Sequence, residues 1–296
     1  MYILGVWDGH DSGAALLEDN KIVFAANEER FTKRKLEIKF PYRAISAALS
    51  YAKIRPDDVE HIAFATTELT KTLERIMPYS KEYYYQFRRR KMLKPRMEAF
   101  NHKLKYALTS AGTWPLCRTI SKNIVAGQLR ELGFENYKMH LVDHHTAHAA
   151  TAAFTCGFGD ALIVTLDGLG DGLSGSVSTL RKGRLARQKA ILARNSLGRF
   201  FEQVTNIVGM RELEDEGKVM AMADYSFPFP FEKNRLKDFF TVDGIDIRAK
   251  YGPVSQYDML DRIAWSMPRE QFSYMAQQVI ENAVTKLVGN AIEEFG

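Results

Sequence analysis

Four of the chain's seven histidines fall within nine residues, in the run HLVDHHTAH from His140 to His148. His144 and His148 are four apart, which puts both on one face of a helix. Two neutral imidazoles that converge in this way suit a divalent metal ion, which then needs a third ligand. Asp167, at the end of the next apolar run, is the best local candidate. The plain alternative is a helix start whose polar residues face solvent or cap the helix.

Three further groups could do chemistry. The first is Asp8-Gly9-His10-Asp11-Ser12-Gly13. Turn chemistry accounts for Asp, Gly and Ser there. It accounts less well for His10, which could act as a general base or stabilise charge. The second is Gly168, Gly170, Asp171 and Gly172, with Ser174 behind them. Glycines let backbone N–H groups approach an anion, so this stretch is a candidate phosphate cradle. It is neither a Walker loop nor a Rossmann fingerprint, because a strand follows it instead of a helix. The third is Glu214-Asp215-Glu216-Gly217-Lys218, where the Gly217 amide and Lys218 at an expected helix start could bind an anion; the plain alternative is a charged loop before a helix with Lys218 solvated.

The elements that position these residues come in two copies. Tyr2–Gly13 (YILGVWDGHDSG) and Ala161–Gly172 (ALIVTLDGLGDG) each run through a strand into an Asp-Gly turn, the two aspartates lying 159 residues apart. Each is followed by two more strand-like runs, Ala14–Leu17 and Ile22–Ala26 in the first copy, Leu173–Leu180 and Leu185–Leu192 in the second. That pattern predicts a duplicated β-β-β domain. We expect a first lobe over residues 1–156 with a helical insertion at about 70–132, and a second over 157–296. Helical spacing predicts helices over Tyr42–Ile54, Lys71–Leu108 (broken near Pro78 and Pro95), Lys122–Leu132, His144–Phe154, Leu197–Val208, Gly217–Tyr225 and Gln271–Glu294. His61–Thr66 and Met139–Val142 read as strands.

Composition bounds the rest. With 296 residues, 46% hydrophobic, the chain can carry two cores. Its two cysteines imply no disulfide framework, its N-terminus shows no signal peptide, and no apolar run is long enough to cross a membrane, so a cytoplasmic protein is expected. The net charge of +5 comes from one segment, Lys81–Tyr106, where nine lysines and arginines face Glu82 and Glu98. Interleaved Tyr83, Tyr84, Tyr85, Phe87, Phe100 and Tyr106 could mean nucleic acid. The favoured reading is a helical insertion with packed aromatics and solvated basic groups, so nucleic acid is not the expected partner.

These residues together resemble the actin-like ATPase and sugar-kinase superfamily. More closely, the chain resembles the carbamoyltransferase family of nodulation protein U and the antibiotic O-carbamoyltransferases. The motifs are GHDSGAAL (Gly9–Leu16), EERFTKRK (Glu28–Lys35) with Phe40-Pro41, DHHTAHAA (Asp143–Ala150), LDGLGDG (Leu166–Gly172) and EGKVMAMA (Glu216–Ala223), in the family's order across most of residues 1–225. The sequence departs from the family at Ala221 and Ser226, where glycine is usual.

The resemblance implies an α/β fold of duplicated actin-like (ribonuclease H-like) lobes with mixed five-stranded sheets. It implies that a YrdC-like domain, in cis or in trans, makes carbamoyl-adenylate from carbamoyl phosphate and ATP, and that the present portion moves the carbamoyl group to a small-molecule hydroxyl. His144, His148 and Asp167 would bind a divalent metal, iron; His10 would sit at the transfer site. Gly168, Gly170, Asp171, Gly172 and Lys218 would face the nucleotide. On this reading the second lobe is incomplete and the functional unit continues past residue 296. The alternatives are a nucleotide-binding regulatory or assembly module and an RNA-binding factor acting through residues 81–106; a homodimer is left open.

Overall fold

Period-two alternation builds the first sheet. In β1 (Tyr2–Trp7) Leu4 and Val6 are buried, and in β2 (Gly13–Glu18) Ala14 and Leu16 face the same side. Asp19 and Asn20, both with positive φ, turn β2 into β3 (Lys21–Asn27), as hairpin turns of this kind require. β4 (Val59–Ala65) buries Ile62 and Phe64 and pairs with β1 in parallel; β5 (Lys138–Val142) adds at the edge. The order is β3-β2-β1-β4-β5, with β2 alone antiparallel to the rest, which is the ribonuclease H-like order of an actin-like lobe.

The computed structural model describes residues 1–88 and 112–296, in two units, Met1–His144 and His145–Gly296. The first unit's core sets Leu4, Leu16, Ile62 and Phe64 of the sheet against Ala44, Ile45 and Ala48 of α2 (Tyr42–Ala52) and Val125 and Leu129 of α5 (Pro115–Glu131). A short α1 (Glu29–Thr32) precedes α2. The carboxylate of Glu28, itself buried, accepts hydrogen bonds from the backbone N–H of Arg43 and Ala44 and so satisfies the first turn of α2. The helical insertion begins with α3 (Leu69–Ile76) and α4 (Pro78–Arg88), separated at Pro78 as its missing N–H dictates. Pro95 lies outside the described residues. α5 starts earlier than helical spacing indicates, because Pro115 takes the first helical position, where proline is well suited.

The second unit repeats the antiparallel half of that sheet: β6 (Ala161–Gly170), β7 (Leu173–Arg181) and β8 (Arg184–Leu192) in the order β6-β7-β8. Parallel partners of the β4 and β5 kind are absent among the described residues. α6 (His144–Thr155) packs Ala149 and Ala153 on Ile163 and Leu180. α6 apart from His144 lies in the second unit. In the larger core, Val177 and Ile191 meet Leu197, Phe200 and Val204 of α7 (Leu197–Ile207) and Phe272, Met275 and Val279 of α10 (Arg269–Phe295). α8 (Glu216–Ala223) lies along α10. A β9-β10 hairpin (Phe240–Asp243, Asp246–Ala249) and α9 (Pro253–Ala264) complete the unit. No helix among the described residues is long and apolar enough to cross a membrane.

Candidate metal centre and transfer site

His144 is the first residue of α6 and His148 lies one turn later on the same face. Ligand atoms of His144, His148 and Asp167 all lie within 4.8 Å of one another, so the predicted trio converges. His148 Nε2 is 3.7 Å from Asp167 Oδ2. The Asp167 carboxylate raises the His148 pKa above the ordinary imidazole value, against the opposing effect of burial. His144 Nδ1 is 3.2 Å from Thr66 Oγ1, a partner that sequence reading missed. Thr66 is held at φ 66°, strained for a β-branched residue, and its carbonyl accepts a hydrogen bond from Arg75. The two imidazoles and one carboxylate are a donor set that suits a borderline divalent ion with open positions, iron(II) among them. Cis ligands on such an ion sit ~3 Å apart given bonds of ~2.1 Å, so the trio needs small side-chain adjustments to close on one.

The other two histidines of the run serve the fold. His145 is buried and faces Thr165 Oγ1 at 3.1 Å, which joins α6 to β6, and His140 meets His61 across β4 and β5 at 3.1 Å.

The two Asp-Gly dipeptides have different fates, and only the first is at a turn: Asp8-Gly9 lies between β1 and β2, whereas Asp167-Gly168 falls inside β6, whose turn comes four residues later at Asp171-Gly172. Asp167 is 40% exposed and faces His148, whereas Asp8 is fully buried. The Asp8 carboxylate takes two bonds from Arg75, Nε to Oδ2 at 2.9 Å and Nη2 to Oδ1 at 2.7 Å, and a third from Lys81 Nζ at 3.1 Å. Burial pushes this carboxyl up, but Arg75 and Lys81 outweigh it and hold it well below the usual carboxylate range. The cation held beside Asp8 is thus a pair of side chains. Lys81, grouped by sequence with the solvated basic residues, is instead buried in the first unit. Desolvation pulls its pKa down while Asp8 opposes the shift. The remainder of the basic stretch from Arg89 to Tyr106 lies outside the described residues. His10 stands on the exposed turn after Asp8, its Nδ1 3.4 Å from Asp11 Oδ2.

In the glycine-rich stretch, Asp171 and Gly172 both have positive φ and form the two-residue turn between β6 and β7, while Gly170 pairs with Leu173. Gly168 lies against Glu202: a Cβ there would meet Glu202 Oε1 at 2.7 Å. Ser196 caps α7 by accepting from Arg199 N, and its hydroxyl reaches the carbonyls of Asp167 and Gly168. Beside Asp167 and Gly168 a cleft of about 470 Å³ opens within the second unit, lined also by Phe201, Glu202 and Glu216. Gly170, Asp171, Gly172 and Lys218 are not among its lining residues. Lys218 sits in the first turn of α8, ion-paired with Asp215 at 2.8 Å.

Gly198 makes the close approach of α7 to Asp167 possible, since a Cβ there would lie 2.8 Å from Asp167 O and 2.7 Å from Gly168 N. Both are backbone atoms that cannot swing aside. Gly198→Ala should therefore lower the thermal stability of the chain by about 1–3 kcal/mol. Gly217→Ala, where a Cβ meets nothing within 4 Å, should raise it by ~0.5–1 kcal/mol through helix propensity. Parallel thermal melts of the two variants check the pair.

Comparison with known proteins gives the arrangement a family. The uncharacterized protein MJ1051 of Methanocaldococcus jannaschii is 24% identical over 307 residues, covering 99% of this chain and 48% of the relative. Protein sll1178 of Synechocystis is 30% identical over 223 residues, 74% of this chain and 34% of its own length. Nodulation protein NolNO of Sinorhizobium fredii is 27% identical over 224 residues, 75% of this chain and 28% of its own. The matched stretches thus span half or less of these relatives. Among solved structures, component A of (R)-2-hydroxyglutaryl-CoA dehydratase from Acidaminococcus fermentans aligns over 100% of this chain and 79% of its own at 12% identity, with a TM-score of 0.46. The family described as Carbamoyltransferase N-terminus matches residues 2–282, nearly the whole sequence, and the chain belongs to that family.

Proposed function

We propose that the chain is the hydroxyl-modifying part of a cytoplasmic O-carbamoyltransferase. It would take the carbamoyl group from carbamoyl-adenylate, made from carbamoyl phosphate and ATP by a YrdC-like domain in cis or in trans, and pass it to a substrate hydroxyl. The family match over residues 2–282 carries this reading. The convergence of His144, His148 and Asp167 supports it.

The acceptor oxygen bonds to the carbamoyl carbon, the bond from that carbon to the adenylate oxygen breaks, and AMP leaves with the electron pair. His10 takes the hydroxyl proton. Asp11 faces its Nδ1, which favours the tautomer protonated there and leaves Nε2 as the proton acceptor. A divalent ion held by His144, His148 and Asp167, iron in our reading, would supply positive charge at the donor's phosphate. The glycines after Asp167 and Lys218 bind the nucleotide in this reading.

The test uses carbamoyl phosphate carrying a labelled carbon, ATP, an added YrdC-like domain and a panel of aminated and neutral polyols. Label should enter an acceptor only when the chain is present. His10→Ala should slow transfer by about 10²- to 10⁴-fold, the range of general base catalysis. Full-rate transfer by His10→Ala would remove His10 from the mechanism. Equal label incorporation with the chain omitted would overturn the function.

A further inference from the structure

A histidine on an exposed turn is a poor base unless something fixes its backbone and ring, because small misplacements are costly in rate. Trp7 touches the His10 turn. Its indole Nε1–H donates to the carbonyl of His10 at 2.7 Å. The Trp7 ring meets the His10 ring edge-on, with centroids 6.2 Å apart and planes at 86°. It meets the His144 ring in the same manner, at 5.9 Å and 63°. Lys71 Nζ lies over it, 5.6 Å from the centroid, in a cation–π contact. The ring also folds back over Gly9, where a Cβ would collide with the six-membered ring of the indole. Gly9 is thus the glycine on which this side chain closes.

We propose that Trp7 is the positioning residue of the transfer site: one indole fixes the main chain of the base, His10, and braces the first metal ligand, His144. The inference rests on the reading of His10 as the base and His144 as a ligand. It assigns a task to the residue before the first Asp-Gly turn that neither sheet pairing nor core packing requires. Only tryptophan combines the ring with an N–H able to reach the His10 carbonyl, so phenylalanine keeps the ring contacts and loses the anchor.

The test reads geometry, so it does not depend on knowing the acceptor. The chain has three tryptophans, and Trp114 and Trp265 are exposed. In the full chain carrying Trp114→Phe and Trp265→Phe, Trp7 reports alone. Added cobalt(II) should quench its emission saturably, with one ion per chain, and His144→Ala should abolish that quenching. With histidine labelled on the ring carbon, the His10 proton resonance should carry a ring-current shift. Trp7→Phe should reduce that shift, and Trp7→Leu should erase it and weaken cobalt binding about tenfold, the low end for a residue that orients a metal ligand. A wild-type His10 resonance and wild-type cobalt affinity in Trp7→Leu would overturn the proposal. Should Trp7→Leu fail to fold, a Trp7→Phe chain with an unaltered His10 resonance does the same. If no carbamoyl transfer is found but both spectroscopic signatures hold, the transferase reading fails while the positioning role stands.

Discussion

Arg75→Ala should destabilise the first unit by about 3–5 kcal/mol, the cost of leaving a buried carboxylate without its main partner. Arg75 is 6% exposed and does four things at once. It holds both oxygens of Asp8, donates to Thr66 O and Ser121 Oγ at 3.0 Å each, and covers the Phe64 ring at 4.4 Å. It therefore ties the ends of β1 and β4 to α5. Lys81 alone cannot replace these bonds, since it reaches Asp8 with one ammonium and no fork. Urea melts of Asp8→Ala, Arg75→Ala and the double variant give the coupling, which should fall at the upper end of ~0.5–3 kcal/mol for residues in direct contact. A coupling near zero would mean that Arg75 acts through Phe64 and Ser121 and not through Asp8.

The same pair sets an acid dependence. The folded carboxyl of Asp8 is depressed below its ordinary value of 3.8. Its stabilising contribution is thus fully present above that value and is lost as pH falls from there toward the folded value. Below pH ~3.8 the slope attributable to Asp8 is about 1.4 kcal/mol per pH unit. Asp8→Asn should start less stable at neutral pH and show a shallower decline between pH 4 and pH 2.

The network around Asp8 was illegible in the sequence for a definite reason. Arg75 and Lys81 lie 67 and 73 residues from Asp8, on helices whose basic residues look solvated in any local window. Lys81 in particular was absorbed into a charge run that gave no sign of its burial. Trp7 and Thr66 were hidden in the same way: one reads as the last apolar residue of a strand, the other as the polar residue that ends one. By contrast the strands β1–β3 and β6–β8 were legible, because alternation and the Asp-Gly turns are local. The convergence of His144, His148 and Asp167 was legible for a related reason: helical spacing fixes His144 against His148, and β6 brings Asp167 beside them. That spacing also sends the adjacent His145 to the opposite, buried side. β9 and β10 are four-residue strands bearing charge, too short for alternation to show, although Asp243-Gly244 is a hairpin signal and Gly252-Pro253 marks the start of α9.

The second large effect concerns the proposed metal, and it rests on the contrast between the two Asp-Gly dipeptides. After reconstitution with iron(II) under reducing conditions, the chain should hold one ion, and His144→Ala combined with His148→Ala should weaken binding by more than about 100-fold, beyond the loss typical of outer-shell changes. Elemental analysis after gel filtration measures it, and unchanged metal content in the double variant would sink the assignment. Neither imidazole belongs to a hydrophobic core cluster, so the melting temperature of the metal-free double variant should stay close to that of the metal-free parent. His145→Ala should do the reverse, keeping the ion and losing stability, because its ring is buried against Thr165. The paired aspartates extend the argument. Asp167→Asn should release the ion at little cost to the metal-free fold, its carboxylate being 40% exposed. Asp8→Asn should retain the ion and lose stability, its carboxylate being enclosed by Arg75 and Lys81. The same dipeptide, following β1 in one unit and lying within β6 in the other, would then serve structure in the first and ligation in the second, the difference lying in whether a buried guanidinium or an imidazole faces it.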